Sequence, residues 1–345
     1  MKQGRSLMSL NVLMTAGSRR VPLLEAFRRA LRDLRLAGSV QVTDVNPLSP
    51  TVLVADKAHL VPLSNDPEYV NHMAAICQAE RIGLLVPTID DELPIFSEAR
   101  ERFAAAGVRV AVSDTFVTTL CNDKFATCAY LLERGIAAAE SYLPDTLPDD
   151  LQFPVFVKPR YGRGSVGAFR VDDARQLEFF LSYVPGPVIQ EFLDGPEFTI
   201  DLFCDFDGTP ISAVPRERAI IRAGVIDRGR TVRDQALIDL ALQCSAVLKF
   251  EGACNIQCRV VAGRPVIFEI NPRFSGGIPL TIASGADFPR MLVELALGRP
   301  VAPEVGRFTD NLWMTAYETS FFVDATRVAA LTERASRARA MRNVA

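Results

Sequence analysis

Glu269, Asn271 and Arg273 stand at every second position of one short stretch, and the first two bring oxygen donors of the kind that a hard divalent cation takes. Side chains of an extended strand alternate with period two, so over residues 266–271 Val266, Phe268 and Ile270 are expected on one face and Glu269 and Asn271 on the other. The preceding run repeats the pattern, with Cys254, Ile256 and Cys258 turned one way and Asn255 and Gln257 the other. If the two runs pair through a turn at Gly263-Arg264, one sheet face carries Gln257, Glu269 and Asn271, and Arg273 follows at once. One carboxylate with amide oxygens suits Mg²⁺, which completes its shell with phosphates and water. A solvated strand face would alternate in the same way, but a carboxylate, an amide and an arginine within five residues favour the metal.

A second group is Arg160-Tyr161-Gly162-Arg163-Gly164-Ser165-Val166-Gly167-Ala168. Glycines let the backbone approach an anion and point N–H groups at phosphate oxygens. The flanks are strand, loop and strand, with no Gly-Lys-Ser/Thr and no following helix, so this is not a Walker P-loop. Alone, such a hairpin is as often a flexible turn. Lys158 closes the apolar run 153–157, a place where lysine is seldom left unpaired, and a bound phosphate would satisfy it. Further on, Gln190-Glu191-Phe192-Leu193 could present backbone groups to an adenine edge, and Glu197 could accept from ribose hydroxyls. Taken alone, the same stretch is a strand, a Gly195-Pro196 turn and another strand. The acidic run Asp90-Asp91-Glu92 could meet a substrate amine, although a helix cap with first-turn carboxylates is the simpler reading.

These residues need two kinds of scaffold. From residue 10 to about 112, apolar strands (11–14, 40–45, 82–87 and 108–112) alternate with helical patterns such as Leu24, Phe27, Leu31 and Leu34, which predicts a parallel α/β layer. It is Rossmann-like but lacks the G-x-G-x-x-G fingerprint of dinucleotide binding. A helix over 124–134, stopped by Gly135, precedes a turn-rich linker over 144–150. Then short strands take over (153–158, 168–171, 188–192, 197–204, 253–260 and 266–271), with hairpin turns at Asp207-Gly208 and Gly263-Arg264. Helices are expected over 173–182, 234–249 and 289–297, and an arginine-bearing helical tail over 326–345. The fold class expected is therefore α/β followed by α+β with antiparallel sheets.

The totals exclude other classes. A chain of 345 residues with formal net charge −3 lacks the basic balance of a dedicated nucleic-acid binder. Seven cysteines match no zinc spacing and are odd in number, which reads as reduced, buried thiols. Only two histidines exist, so histidine-based catalysis or metal binding is not expected. No apolar run nears the ~20 residues of a membrane span. Residues 1–17, basic and then apolar but interrupted by Asn11, read as a short extension and first strand rather than a signal peptide. The expected location is the cytoplasm, with no membrane and no nucleic-acid partner.

Order and spacing carry further than any one motif. Asp123-Lys124 opens a helix, then come Lys158-Pro159, the glycine loop, Gln190-Glu191, Glu197, Gln257 and Glu269-Ile270-Asn271-Pro272-Arg273. From residue 10 to 298 this series resembles the ATP-grasp superfamily, in its carbamoyl-phosphate-synthase-large-chain-like branch, with a single grasp module. The resemblance implies a Rossmann-like pre-ATP-grasp domain over 1–115 and an ATP-grasp N-terminal subdomain over 116–190. The C-terminal subdomain with the metal site would follow over 191–325, then a tail over 326–345. It implies Lys124 and Lys158 as nucleotide-binding cations and a mobile phosphate-covering loop with Gly162, Gly164, Ser165 and Gly167. The adenine hinge would be Glu191, Phe192 and Leu193, and the ribose carboxylate Glu197. Gln257, Glu269 and Asn271 would be the magnesium ligands, with Arg273 as the anion-holding arginine. Arg216, Arg218 and Arg222 look like the branch's basic segment facing phosphate or substrate, and Arg222 joins Lys158 and Arg273 in the expected catalytic set.

The expected activity is an ATP- and Mg²⁺-dependent ligation of a small carboxylate to an amine, or to another nucleophile such as a thiol, through an acyl phosphate. Two Mg²⁺ ions are expected, with Mn²⁺ as a substitute, and a homodimer is kept open. Nothing resembles a glutaminase or a biotin-handling module, so carbamoyl phosphate synthesis is not expected. Two rivals remain, a phosphotransferase that stops at an acyl or carbamoyl phosphate and a non-catalytic ATP sensor.

Overall fold

The computed structural model describes residues 8–222 and 224–340, which form two compact units. Residues 1–7, part of the expected N-terminal extension, and residues 341–345, the end of the expected tail, lie outside the described residues.

The first unit takes residues 8–112, 287–301 and 318–340. Its strands are β1 (Asn11–Met14), β2 (Val40–Asp44), β3 (Lys57–Leu60), β4 (Ile82–Val86) and β5 (Arg109–Val110). They pair in parallel in the order β3-β2-β1-β4-β5. β2 and most of β1 and β4 are buried, as expected of parallel strands covered on both faces. The helix Val21–Asp33 buries Leu24, Phe27 and Leu31 as its periodicity predicts, and Leu34 falls just past its end. The helix Tyr69–Ala79 and β3 escape the sequence pattern, β3 because its residues are only partly covered. Asp90–Glu92 is a short 3₁₀ turn, in which buried Glu92 accepts from the hydroxyls of Thr15 and, at 2.5 Å, Tyr69. Burial and the neighbouring Glu92 push the Tyr69 hydroxyl far above its usual range.

The expected subdomain over 191–325 is interrupted. Its segment 287–301 belongs to the first unit, where the helix Phe288–Ala296 packs on the helix Val21–Asp33. The physical reason is its apolar face of Phe288, Leu292 and Leu295, which is buried there.

The second unit takes residues 113–286 and 302–317. One antiparallel sheet contains β6 (Ser141–Tyr142), β7 (Val155–Pro159), β8 (Phe169–Val171) and β9 (Pro187–Glu191), in the order β6-β9-β7-β8. The other contains β10 (Glu197–Cys204), β11 (Pro210–Arg222), β12 (Val225–Thr231), β13 (Gly252–Val261), β14 (Arg264–Asn271) and β15 (Trp313–Thr315). Its order is β14-β13-β10-β11-β12-β15, antiparallel throughout. The helices at Thr115, Lys124, Ala174 and Gln235 each start on an aspartate whose side chain accepts from a first-turn N–H: Asp114, Asp123, Asp173 and Asp234. The fold class is the one expected. Among the described residues no helix is long and apolar enough to cross a membrane.

The β13–β14 hairpin turns on Ala262 and Gly263, with φ of +48° and +78°, the left-handed pair that a tight two-residue hairpin loop requires. Val261 faces Arg264 and Cys258 faces Ile267, yet Gln257 faces Glu269 and Asn255 faces Asn271. Phe268 therefore has no partner and forms a β-bulge. This corrects the single face expected for Val266, Phe268 and Ile270: the buried apolar residues of β14 are Ile267 and Ile270, while Val266 and Phe268 are only partly buried.

Phe96 anchors the first unit's core, fully buried with its ring centroid 5.8 Å from Tyr69 and 5.7 Å from Phe103. Phe96→Ala is expected to cost about 3–5 kcal/mol, read as a lower urea midpoint. An unchanged midpoint would remove Phe96 from the core.

Candidate active site

The two sheets of the second unit enclose a cleft of about 830 Å³, its open mouth included. Lys158 on β7, residues 190–193 at the end of β9 and just beyond it, and the loop between β7 and β8 line one side. Glu197 on β10, Arg218 on β11, Gln257 and Arg259 on β13 and Glu269 on β14 line the other.

The loop is tied at its base. Asp123 caps the helix Lys124–Leu132 through the Ala126 N–H (3.1 Å) and accepts from Arg160 Nε and Nη2 (2.8 and 2.6 Å) and from the Tyr161 hydroxyl (3.0 Å). Burial alone would raise the Asp123 carboxyl, but these hydrogen bonds, with Arg160 foremost, hold it below the usual carboxylate range. The next residue, Lys124, donates its Nζ to the Gly162 carbonyl at 2.7 Å. Beyond this base Gly162, Gly164, Ser165 and Gly167 all have positive φ, and Val166 at the tip is 78% exposed. Glycine serves that path, since a side chain is strained at such angles.

Lys158 is buried at the end of β7, donating Nζ to the Phe268 carbonyl at 3.3 Å and lying 5.2 Å from the centre of the Phe268 ring. Burial pushes its ammonium below the usual lysine range; Lys124 acts in the same sense, while Glu269, Cys128 and Glu197 oppose it. A buried cation of this kind favours an anionic partner.

Below the bulge, the ladder sets out oxygen donors. Gln257 stands opposite Glu269, and the Asn271 amide nitrogen donates to Glu269 Oε1 at 3.1 Å. Arg273 Nη2 donates to the Asn271 amide oxygen at 3.2 Å, and the Asn255 amide nitrogen holds the carbonyls of Asn271 (3.2 Å) and Arg273 (3.1 Å). Among the described residues no group of three or more His, Cys, Asp or Glu side chains is gathered for a metal. One carboxylate with amide oxygens fits Mg²⁺, which keeps water and phosphate in its shell, better than it fits a metal needing a full protein cage.

Two family models match the chain. That described as "ATP-grasp in the biosynthetic pathway with Ter operon" covers residues 184–319, and "PylC-like, N-terminal domain" covers residues 12–111. The arginine-specific carbamoyl phosphate synthase large chain of Bacillus subtilis is 24% identical over 245 residues, which is 66% of this chain and 23% of that protein. The large chain of Methanothermobacter thermautotrophicus is 27% identical over 330 residues, 84% of this chain and 30% of that one. The chain has the ATP-grasp fold and is similar in sequence to carbamoyl phosphate synthase large chains. Biotin carboxylase from Campylobacter jejuni shares its fold, with a TM-score of 0.69 at 14% identity over 88% of this chain and 74% of its own. So does L-amino acid ligase from Bacillus licheniformis, with 0.66 at 19% over 84% and 74%. This ATP-grasp chain thus spans under a third of the length of these two synthase chains.

Within the ATP-grasp cleft the structure brings together Lys124, Lys158, Gly162, Gly164, Ser165, Glu191, Phe192, Leu193, Glu197, Gln257 and Glu269. Asn271 and Arg273 adjoin through Glu269. Gly167 stands apart from the lining, beside Pro159 at the loop's far end. Arg222 is exposed at the end of β11 and does not line the cleft. Arg216, expected to face phosphate or substrate, is instead buried against Asp201 at 2.7 Å. Arg259 and Phe268 line the cleft unforeseen. Arg259 lies two residues beyond Gln257, so the period-two rule already placed it on that face.

Asp123→Asn keeps a good cap and removes the charge, so about 1.5 kcal/mol of stability should be lost at neutral pH. Because the folded carboxyl titrates below its ordinary value of 3.8, wild type keeps this advantage above that pH. The gap between the two proteins should hold from pH 7 to about 5 and close as the pH falls below 3.8. Denaturant titrations at each pH measure it; a gap independent of pH would contradict the pairing.

Proposed function

We propose that this protein is an ATP- and Mg²⁺-dependent ligase that phosphorylates a small carboxylate and passes the acyl group to an amine or a thiol. The observation that carries the reading is the buried Lys158 facing the Glu269 ladder across a cleft bordered by an anchored glycine loop. The likeness to carbamoyl phosphate synthases, named for a mixed anhydride of phosphate, supports the same chemical class.

In this mechanism Lys124 and Lys158 neutralise the polyphosphate, and N–H groups of the glycine loop enclose the group being transferred. Phe192 and Leu193 take the adenine, and Glu197 accepts from the ribose. Glu269, Asn271 and Gln257 would hold Mg²⁺, which would supply charge neutralisation at the phosphate oxygens. Two ions are the proposed loading, with Mn²⁺ able to substitute. Arg273 steadies the acceptor carboxylate near the Gly276-Gly277 turn. An acyl phosphate is activated enough that the incoming nucleophile needs little help from a base, which fits a cleft lined by no histidine. Arg222 has no role in this mechanism, and the cytoplasm is the proposed location.

A screen of carboxylates crossed with amines and thiols, read as ADP release and product mass, tests the assignment. Turnover is expected only when both substrates are present. ADP release with the carboxylate alone would make the protein a phosphotransferase, and none with any pair would make it a sensor. Glu269→Gln should lower turnover by ~10²-fold or more with the fold intact, the loss typical of one strong electrostatic contact. A variant that stays active with the same Mg²⁺ dependence would take Glu269 out of the metal site.

A further inference from the structure

We infer that Arg259 is the positioning residue that sets how this site reads the nucleoside end of its nucleotide. The inference rests on the ATP assignment above and concerns a residue that plays no part in phosphoryl transfer.

Glu197 and Arg259 face each other across β10 and β13. Arg259 Nη2 donates to Glu197 Oε2 at 2.7 Å, and Arg218 Nη1 donates to the other oxygen, Oε1, at 2.5 Å. Each carboxylate oxygen thus meets one guanidinium and keeps a second lone pair for a ligand hydroxyl. Arg218 is itself tied to the Gln257 amide oxygen (3.2 Å) and the Gly224 carbonyl (2.7 Å). Glu197 is held from two sides, and a glutamate so clamped has one orientation to offer.

The second hand of Arg259 extends the effect. Its Nη1 donates to the Gly195 carbonyl at 2.9 Å. Gly195 follows closely on residues 191–193, which line the cleft where the adenine edge would lie. The turn there is tight: a Cβ on Gly195 would come within 2.0 Å of the Val260 carbonyl oxygen, and the Val260 N–H donates to the Pro196 carbonyl at 3.0 Å. One side chain therefore links the chain leaving the adenine hinge to the ribose carboxylate, and fixes the distance between the two places where a nucleoside is read.

Burial separates the two arginines. The Arg218 and Glu197 side chains are 7% and 12% exposed, whereas Arg259 is 34% exposed. Removing Arg218 would strand a buried carboxylate, but removing Arg259 leaves the Arg218–Glu197 pair in place. Arg259→Met keeps the stem and should fold. What it loses is the second hold on Glu197, and with it the preorganisation that makes a ribose hydroxyl worth binding.

The test is calorimetric binding of ATP, 2′-deoxy-ATP and 3′-deoxy-ATP, with Mg²⁺ and without acceptor, to wild type, Arg259→Met and Arg259→Lys. Wild type should prefer ATP over at least one deoxy analogue by about tenfold, the worth of a hydrogen bond to a charged acceptor. In Arg259→Met, ATP affinity should fall to that of the deoxy analogue, whose own affinity changes little, so the preference collapses. Arg259→Lys, able to reach Glu197 but not Gly195 as well, should keep an intermediate preference. Equal loss for all three nucleotides, or an unchanged preference, would overturn the role of Arg259 while leaving the ATP assignment standing. Wild type that binds no ATP would sink that assignment, and this inference with it.

Discussion

The β13–β14 hairpin must satisfy two registers at once. The two-residue turn at Ala262-Gly263 sets Val261 against Arg264, and carried on without interruption that pairing would place Gln257 opposite Phe268 and Ile256 opposite Glu269. Residues directly opposite each other in an antiparallel pair share a face, so Glu269 would turn toward the buried side with Ile256. The unpaired Phe268 adds one residue and reverses the parity, bringing Glu269 to Gln257 and Asn271 to Asn255. The same bulge offers the Phe268 carbonyl to Lys158 and turns the Phe268 ring into the cleft. One extra residue thus aims the oxygen donors and gives the buried lysine a partner.

Around that point the charges are paired in a way that leaves capacity for a polyanion. Arg218 and Arg259 share Glu197, Arg216 takes Asp201, and Asp123 takes Arg160. Lys124 and Lys158 bond instead to carbonyl oxygens, which hold an ammonium without cancelling its charge. Fixed, dry dipoles and cations are what phosphoryl transfer asks of a protein. The sequence's small net negative charge gives no hint of this, because a total does not say where the charges stand.

Much of this was legible because alternation survives burial. β10 has the bounds that the pattern predicts, and the paired Gln257 and Glu269 stand out as polar positions between apolar ones. The bulge is not legible, since an apolar residue without a partner looks like any other. β11 and β12 were missed for the opposite reason: Arg216, Glu217, Arg218 and the charged run of β12 hide the strand period, and Arg216 and Arg218 are turned to buried ion pairs rather than water. The return of 287–301 to the first unit depends on the face of a distant helix, which local periodicity cannot name.

The central claim is that a carboxylate oxygen attacks phosphorus in this cleft. Once a substrate pair is found, the carboxylate can be enriched in heavy oxygen and the products weighed. Acyl-phosphate chemistry sends one labelled oxygen into inorganic phosphate when the nucleophile displaces the acyl group, and that is the result predicted. Label found in AMP, with pyrophosphate released, would mean adenylation and would contradict the mechanism.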